Sequence, residues 1–391
     1  MAVPDNSTVR WFHSGMADAP QLNGQAGDLI AVLDACLING FGTAAPDGDK
    51  ITISNGVATV HFSGGNDFEK HAVIEIAGAT PAALNDVWRV TGATATTFTF
   101  DCPGIPDGNA SGSISVKRAT PGYWEKPYGD ALKGAYRSTH PEATGIFLQV
   151  DHSSSSGTVP VRAYETMTGI DTGDNPIPTF DQQATMVWVA VHMSSSAYLP
   201  NPWAIVADER WIFFLPLWND SNGCQPFQFG DFNKFGASDF YNLAFTAYRS
   251  KSSYPQNSGQ QHQIGNNYAN GTYLARGLPG ILAGPVPYYR LGPEVSNAIA
   301  GDRPYPHPAT GGHLFFGPLV VYDGSTERGT VPGLYTSPND DTALGPNASF
   351  GLFEAIDPIE ATDPAMLLVA LPQVSYNKKG VAGFDIWGPW R

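Results

Sequence analysis

Residues 51–62 read ITISNGVATVHF. Apolar and β-branched residues recur on both sides of Asn55-Gly56, a pattern typical of half-buried strands. An Asn-Gly pair readily takes up the positive φ angles of a tight two-residue turn. The stretch therefore predicts a β-hairpin.

Further strand-like segments follow the hairpin, separated by Gly78, Gly92 and Gly112. They read HAVIEIAGA (71–79), VWRVTGA (87–93), TTFTFD (96–101) and SGSISVKR (111–118). We predict that residues 51–119 form a small β-barrel or β-sandwich module of about five or six strands. The Pro- and Gly-containing stretch 119–127 marks its boundary with a second unit.

Apolar runs of strand length recur beyond that boundary. They read TGIFLQVD (144–151), VPVRAYETM (159–167), ATMVWVAVHM (184–193), PWAIVADERWIFFLPLW (202–218), GHLFFGPLVVYD (312–323), AMLLVALPQVSY (365–376) and VAGFDIWGPWR (381–391). Residues 120–391 are therefore predicted to form a larger β-sandwich or β-barrel domain. Its long loop, 250–311, is rich in Ser, Gln, Asn, Gly and Pro, and loops of that length usually have a function or a partner.

The sequence predicts one helix, so the fold is expected to be mainly β. Residues 27–38, GDLIAVLDACLI, carry apolar residues at helical spacing, with capping residues before them and Asn39-Gly40 after them. The helix packs either on its own domain, which is favoured, or on a neighbouring subunit. Residues 1–50 are predicted to form an N-terminal arm and this amphipathic helix.

Composition restricts the classes of function. The chain has 21 Lys and Arg against 36 Asp and Glu, whereas binding to a phosphate backbone depends on basic residues, so no nucleic-acid partner is expected. The sequence shows neither a signal peptide nor an apolar run long enough to span a bilayer, so neither export nor membrane insertion is expected. The three dispersed cysteines are interpreted as buried thiols of a protein made in a reducing cytosol.

The sequence lacks the common catalytic and cofactor motifs. The patterns G-x-S-x-G, H-E-x-x-H, G-x-G-x-x-G and the P-loop are absent, so we expect no enzyme activity, no catalytic residue and no cofactor. A lysin or depolymerase would need a pair of carboxylates with different pKa values. The candidates, which one sequence cannot pair, are Glu125, Glu142, Glu165, Asp171 and Asp231.

Metal binding is considered at three places and is not expected at any of them. His307 and His313 could share a transition metal, but the sequence places no third ligand beside them. Residues 47–49, DGD, and residues 219–223, NDSNG, are rich in oxygen ligands but lack the full spacing of a calcium-binding loop. Asx turns explain both more simply.

Aromatic residues raise two further hypotheses. A cluster in residues 203–218 would form a sugar-stacking platform if exposed, but core packing is favoured because the strands resemble buried ones. This cluster comprises Trp203, Trp211, Phe213, Phe214 and Trp218. Aromatic and apolar residues in the arm and in the loop 250–311 are candidates for an interface with other subunits. These candidates are Trp11, Phe12, Tyr268, Tyr273, Leu278, Tyr288 and Tyr289.

Two motifs follow one another along the chain: GQAGDLIAVLDACLING (24–40), and YETMTGIDTG (164–173) followed by PIPT (176–179). In this order they resemble segments of virion structural proteins of tailed bacteriophages and prophages. The further matches are DERWIFF (208–214), FGDF (229–232), SDFY (238–241) and GPWR (388–391). Residues 57–118 resemble a small β-module inserted in many phage tail and head proteins, although Asp86 stands where that module usually has a Gly after its Asn.

The resemblance implies a non-enzymatic structural component of a tailed-phage virion, made in the host bacterial cytoplasm and assembled in multiple copies. A tail or baseplate component is the first choice, and a head decoration protein is the second. Other virion proteins and further copies of the chain would be its partners. The alternative is a receptor- or glycan-binding tail protein, whose partner would be a host surface glycan or receptor.

Overall fold

The computed structural model confirms that the fold is mainly β. It describes residues 7–47, 51–191, 200–219, 223–224, 226–248, 272–277, 286–287, 289–291, 317–340, 353–358, 364–375 and 378–391. The strands of these regions pair antiparallel in six sheets, none of which closes into a barrel within the described ranges. Of the two predicted architectures, the sandwich is therefore the one supported.

The predicted helix is present and packs on the chain's own core. It comprises α1, Asp28–Leu33, continued by a π-helical segment, Asp34–Asn39. Gly27 precedes it at φ +88°, where an added Cβ would lie 2.7 Å from the carbonyl oxygen of Ala131. The apolar face of the helix is buried, as predicted, and includes Leu29, Val32, Leu33, Cys36 and Leu37.

The N-terminal arm differs from the prediction, because its residues belong to the core. Strand β1, Arg10–His13, pairs antiparallel with the strand Trp203–Ala207 and places Trp11 opposite Val206. Trp11 is 3% exposed and Phe12 is 1% exposed. These two candidate interface residues are therefore core residues of this chain, because both faces of the sheet are covered where β1 joins it.

The small module is a sandwich with a hydrophobic core of its own. One sheet has the order β2-β10-β5-β6 and the other β7-β8-β4-β3-β9. Trp88 of the first sheet packs on Phe100 of the second, with ring centroids 5.0 Å apart. The strands are β2 Phe41–Ala44, β3 Ile51–Ser54, β4 Val57–His61, β5 Val73–Ala77, β6 Val87–Arg89, β7 Gly92–Ala93, β8 Thr97–Asp101, β9 Gly108–Asn109 and β10 Ser115–Arg118, with a 3₁₀ turn at Ala82–Leu84.

The predicted hairpin is confirmed at the turn between β3 and β4. Asn55 and Gly56 have φ angles of 51° and 76°, as a turn with two left-handed central residues requires. The backbone N–H of Asn55 also donates to the carboxylate of Asp107, at 2.9 Å.

Two buried arginines of the module bond to carbonyl groups outside it. The Arg118 guanidinium lies against the rings of Phe41 and Phe68 and donates to the carbonyl oxygen of Ala17 at 3.3 Å. The Arg89 guanidinium donates to the carbonyl oxygen of Ile386 at 2.6 Å. The module is therefore attached by hydrogen bonds as well as by the chain itself.

A second sheet system follows the module, with the order β11-β12-β13-β14-β15 and β16 paired to β14. Its strands are β11 Trp124–Gly129, β12 Lys133–Ser138, β13 Phe147–Asp151, β14 Thr158–Gly169, β15 Thr172–Ile177 and β16 Val187–Val189. Trp188 of β16 stacks on Phe227 of the strand Phe227–Asp231, which belongs to the next sheet, with ring centroids 5.7 Å apart. This contact is one of those that join the sheets in a large common core.

The central sheet has the order β1-β17-β18-β20-β22-β23-β24, with β19 paired to β18. Its other strands are β17 Trp203–Ala207, β18 Trp211–Asn219, β19 Gly223–Cys224, β20 Phe227–Asp231, β22 Leu243–Thr246, β23 Thr272–Leu274 and β24 Val286–Pro287. Trp203, Trp211, Phe213 and Phe214 are fully buried, which confirms core packing for these four; the Trp218 side chain lies outside the described part.

Two four-stranded sheets complete the structure, with the orders β21-β27-β26-β25 and β28-β31-β30-β29. Their strands are β21 Asn233–Lys234, β25 Tyr289–Leu291, β26 Leu319–Asp323, β27 Thr326–Val331, β28 Leu334–Asp340, β29 Phe353–Ile356, β30 Met366–Ser375 and β31 Lys378–Asp385. Strand β21 lies between β20 and β22 in the chain, so the segment that joins two central strands pairs with a different sheet.

Candidate functional site

The segment that joins β20 to β22 is the best candidate for a functional site, and we call residues 232–241 the aromatic loop. Phe232 and Asn242 close its base: the Phe232 N–H donates to the Asn242 carbonyl oxygen at 2.8 Å, and the Asn242 amide donates back to the Phe232 carbonyl oxygen at 2.7 Å. The Phe232 ring is fully buried. The loop therefore begins from a fixed base.

A buried ion pair holds the far side of the loop. Arg328 of β27 donates through Nε and Nη2 to the Asp239 carboxylate, at 3.0 Å and 2.7 Å. The same carboxylate accepts the backbone N–H of Tyr241 at 3.1 Å. Arg328 is only 3% exposed. A two-pronged pair of this kind fixes orientation as well as position.

A second arginine extends the clamp to the neighbouring sheet. Arg276 donates through Nε and Nη2 to the two carboxylate oxygens of Glu165 on β14, each at 2.6 Å. Its guanidinium lies 4.1 Å from the ring centroid of Tyr241, and its carbonyl oxygen accepts a hydrogen bond from Arg328. The loop is thus tied to two sheets at once.

The clamped loop presents two exposed phenylalanines. Phe235 is 59% exposed and Phe240 is 70% exposed, the highest values among the large apolar side chains of the described regions. The Lys234 ammonium donates to the Asp239 carbonyl oxygen at 2.9 Å and lies 5.3 Å from the Phe240 ring centroid. Lys234 is therefore next to both rings. It precedes Phe235 in the chain, and its ammonium group contacts the Phe240 ring.

A buried ionic cluster contacts the start of the aromatic loop at Asn233. Arg391 donates through Nε to the Asp208 carboxylate at 2.8 Å and through Nη1 to the carbonyl oxygen of Asp231 at 2.8 Å. It also donates to the side-chain oxygen of Asn233 at 3.0 Å. The sequence segments 208–214, 229–232 and 388–391, far apart in the chain, thus meet in one place.

Asp231 contributes a buried carboxyl to this cluster. Its carboxylate accepts hydrogen bonds from the backbone N–H and the hydroxyl of Thr144, both at 2.7 Å. Burial raises the pKa of this carboxyl to about 6. Burial also raises the pKa of nearby Glu209, which accepts a hydrogen bond from the Thr8 hydroxyl.

Gly230 allows the close packing behind the cluster. Its φ of +147° is outside the usual range for other residues, and an added Cβ would lie 2.2 Å from the carbonyl oxygen of Arg210. Strand β20 can therefore lie directly against the turn that carries Asp208 and Glu209.

The candidate interface residues of the loop 250–311 are not found together on a described surface. Tyr273 is 4% exposed on β23, and only the backbone of Tyr289 is described, on β25. Tyr268, Leu278 and Tyr288 lie outside the described residues, as does most of that loop. The sequence analysis did not select Phe235 or Phe240 as site residues. Their positions on either side of Gly-Ala-Ser-Asp, in FNKFGASDFY (232–241), could have indicated an exposed turn.

Each candidate carboxylate has a polar partner. Glu125 pairs with Arg137 and Glu142 with Arg210, while Asp171 pairs with Lys133. Glu165 and Asp231 are held as described above. In the part of the chain that the structure describes, no group of three His, Cys, Asp or Glu side chains could hold a metal ion. His307, His313 and Asp49 fall outside that part.

The geometry is suited to recognition: a fixed loop displays two apolar rings beside one ammonium group. Across the described ranges, no helix combines the length and the apolar character needed to cross a membrane. Neither a scan against protein-family models nor a search of curated proteins gives a match for this chain.

Proposed function

We propose that this chain is a structural component of a tailed-phage virion, assembled in multiple copies and associated with the tail or baseplate. The aromatic loop is the observation that carries the proposal. Exposed aromatic rings on a pre-ordered backbone are typical of protein interfaces, because little conformational entropy is lost when they bind. The loop also contains two of the segments, 229–232 in part and 238–241, on which the resemblance to virion proteins rests.

The buried ionic cluster adds support of a different kind. Two further segments that carry the resemblance, 208–214 and 388–391, meet 229–232 around Arg391, which bonds to the Asp208 carboxylate and to the carbonyl oxygen of Asp231. Under this proposal, the segments around Arg391 form a scaffold that holds an interaction loop in place. A head decoration protein would use the same features and is the second choice.

Quantitative mass spectrometry of purified particles tests the proposal. Tails separated from heads should contain the chain at a fixed multiple of a tail protein of known copy number. If the chain is abundant in the lysate but absent from both tails and heads, a virion role is excluded. If it is found only in heads, the head decoration role replaces the tail or baseplate role.

A receptor- or glycan-binding role in the tail is a separate candidate, favoured by the same exposed rings. Sugar-binding platforms commonly use Tyr and Trp, whose polar groups can also bond to hydroxyls. Phe235 and Phe240 have no such group, so the glycan alternative ranks below the structural role. Binding of the purified chain to host cells, lost in a Phe235→Ser/Phe240→Ser variant, would reverse that order.

A further inference from the structure

We propose that the aromatic loop docks into an apolar pocket on a different protein of the particle, and that it does not join copies of this chain. The inference rests on the proposed function and names the partner's chemistry. Arg328, Arg276 and the Phe232–Asn242 base hold the loop through contacts within this chain. The rings are therefore exposed on a backbone that is ordered without a partner.

The chemistry of the rings describes the pocket. A phenylalanine side chain offers apolar area and no hydrogen-bonding group, so its natural complement is an apolar cavity in a protein. Asp239 is neutralised by Arg328, and the Lys234 ammonium supplies a cation beside the exposed rings. The expected pocket is thus apolar, with carboxylates or carbonyl groups at its edge.

Area and charge argue against a second copy as the occupant. At the observed exposures the two rings offer roughly 250 Å² of surface, since a Phe side chain has about 150–250 Å² to bury. A stable two-protein interface takes about 800 Å² from each partner. The net charge of −15 adds repulsion between free copies. The two rings alone therefore do not hold two free copies together, and the loop is a small contact within an assembly that other contacts complete.

Matched phenylalanine variants test the role of the loop. A phage that lacks the gene is complemented with the wild-type chain, with Phe235→Ser/Phe240→Ser, or with Phe180→Ser as the control. Phe180 is 55% exposed but lies elsewhere, against Arg162. We expect the double variant to be incorporated at least about tenfold less than wild type, and the control to be incorporated normally. Thermal melting of each purified chain checks that a loss of incorporation is not a loss of folding; we expect the three melting temperatures to agree.

The identity of the occupant is tested by crosslinking. Phe240 is replaced by the photoreactive residue p-benzoylphenylalanine in the complete particle, with the same replacement of Phe180 as the control. A crosslink from position 240, but not from 180, to another virion protein identified by mass spectrometry supports the proposal. A product of two copies of the 41.7 kDa chain, or a crosslink only within one chain, overturns it.

The two possible failures are distinguishable. If the wild-type chain is absent from particles, the proposed function fails. If wild type and double variant are incorporated equally, the virion role stands and the role of the loop is wrong. An equal loss in the Phe180→Ser control would also overturn the assignment of the contact to this loop.

Discussion

At the scale of single residues, ionic groups in this chain differ in what they contribute because they differ in burial. Asp208 is 1% exposed and faces Arg391, whereas Glu125 and Arg137 form a pair whose side chains are each 39% exposed. Removing one partner of a buried pair leaves an uncompensated charge inside the protein. When one partner of an exposed pair is removed, water solvates the charge that remains. The buried pairs are therefore the ones on which the site depends.

We expect Arg391→Met to lower the free energy of unfolding by about 3–5 kcal/mol, because the Asp208 carboxylate loses its cation inside the protein. Arg137→Met, the matched control, should cost less than about 1 kcal/mol. Urea unfolding of the two variants and wild type measures both values. Equal losses would show that Arg391 adds no more than a surface pair.

The raised pKa of Asp231 predicts a pH dependence of stability. The folded chain keeps the Asp231 proton up to a pH of about 6, whereas the unfolded chain releases it around 3.8. Proton uptake thus favours the folded state at acidic pH. The contribution is fully present below about pH 3.8 and is lost as the pH rises through about 6.

Asp231→Asn isolates this effect, because the amide can still bond to Thr144 but does not titrate. The variant's free energy of unfolding, relative to wild type, should rise between pH 4 and pH 7 by up to about 3 kcal/mol. The difference between the two proteins removes the contributions of other titrating groups, including His71 and His152, whose pKa values burial lowers. Parallel stability curves across this range would contradict the prediction.

At the scale of elements, β1 shows how a short strand can belong to the core. It pairs with β17 over four residues, and the indole N–H of Trp11 donates to the carbonyl oxygen of His71 in the module at 3.0 Å. One strand thereby joins the central sheet and the small module. Deletion of residues 1–23 should therefore destabilise the β-domains, because it removes β1.

Trp11→Ala tests how much β1 contributes to the stability of the core. We expect the variant to lose about 3–5 kcal/mol of unfolding free energy, because a fully packed indole leaves a cavity. Trp387, which is 44% exposed and stacks on Arg89, is the matched control, and Trp387→Ala should cost about 1 kcal/mol. A small effect at Trp11, similar to the control, would mean that β1 is only loosely attached.

Local elements were predictable from the sequence, whereas distant pairings were not. The hairpin at Asn55-Gly56 and the helix at residues 27–38 depend on neighbours in the chain, so their patterns are visible there. Strand β1 gains its order from β17, almost 200 positions away. The exposure of Phe240 depends on Arg328, 89 positions from Asp239. No local pattern in residues 232–241 reveals that clamp.

At the scale of the whole molecule, the charge balance predicts the absence of DNA binding. With 15 more acidic than basic residues, the chain cannot displace enough counterions from a phosphate backbone. We expect no shift of duplex DNA in a gel assay at physiological salt. Tight binding that weakens steeply with added salt would refute this, and would suggest a role beside the packaged genome.

A density map of the intact particle at side-chain resolution would show both where the chain lies and what its aromatic loop contacts. We expect several symmetry-related copies of the chain in the tail or baseplate, each with Phe235 and Phe240 inserted in an apolar pocket of a different virion protein. A complete map of the particle with no density for this chain would contradict the claim that it is a structural component of the virion.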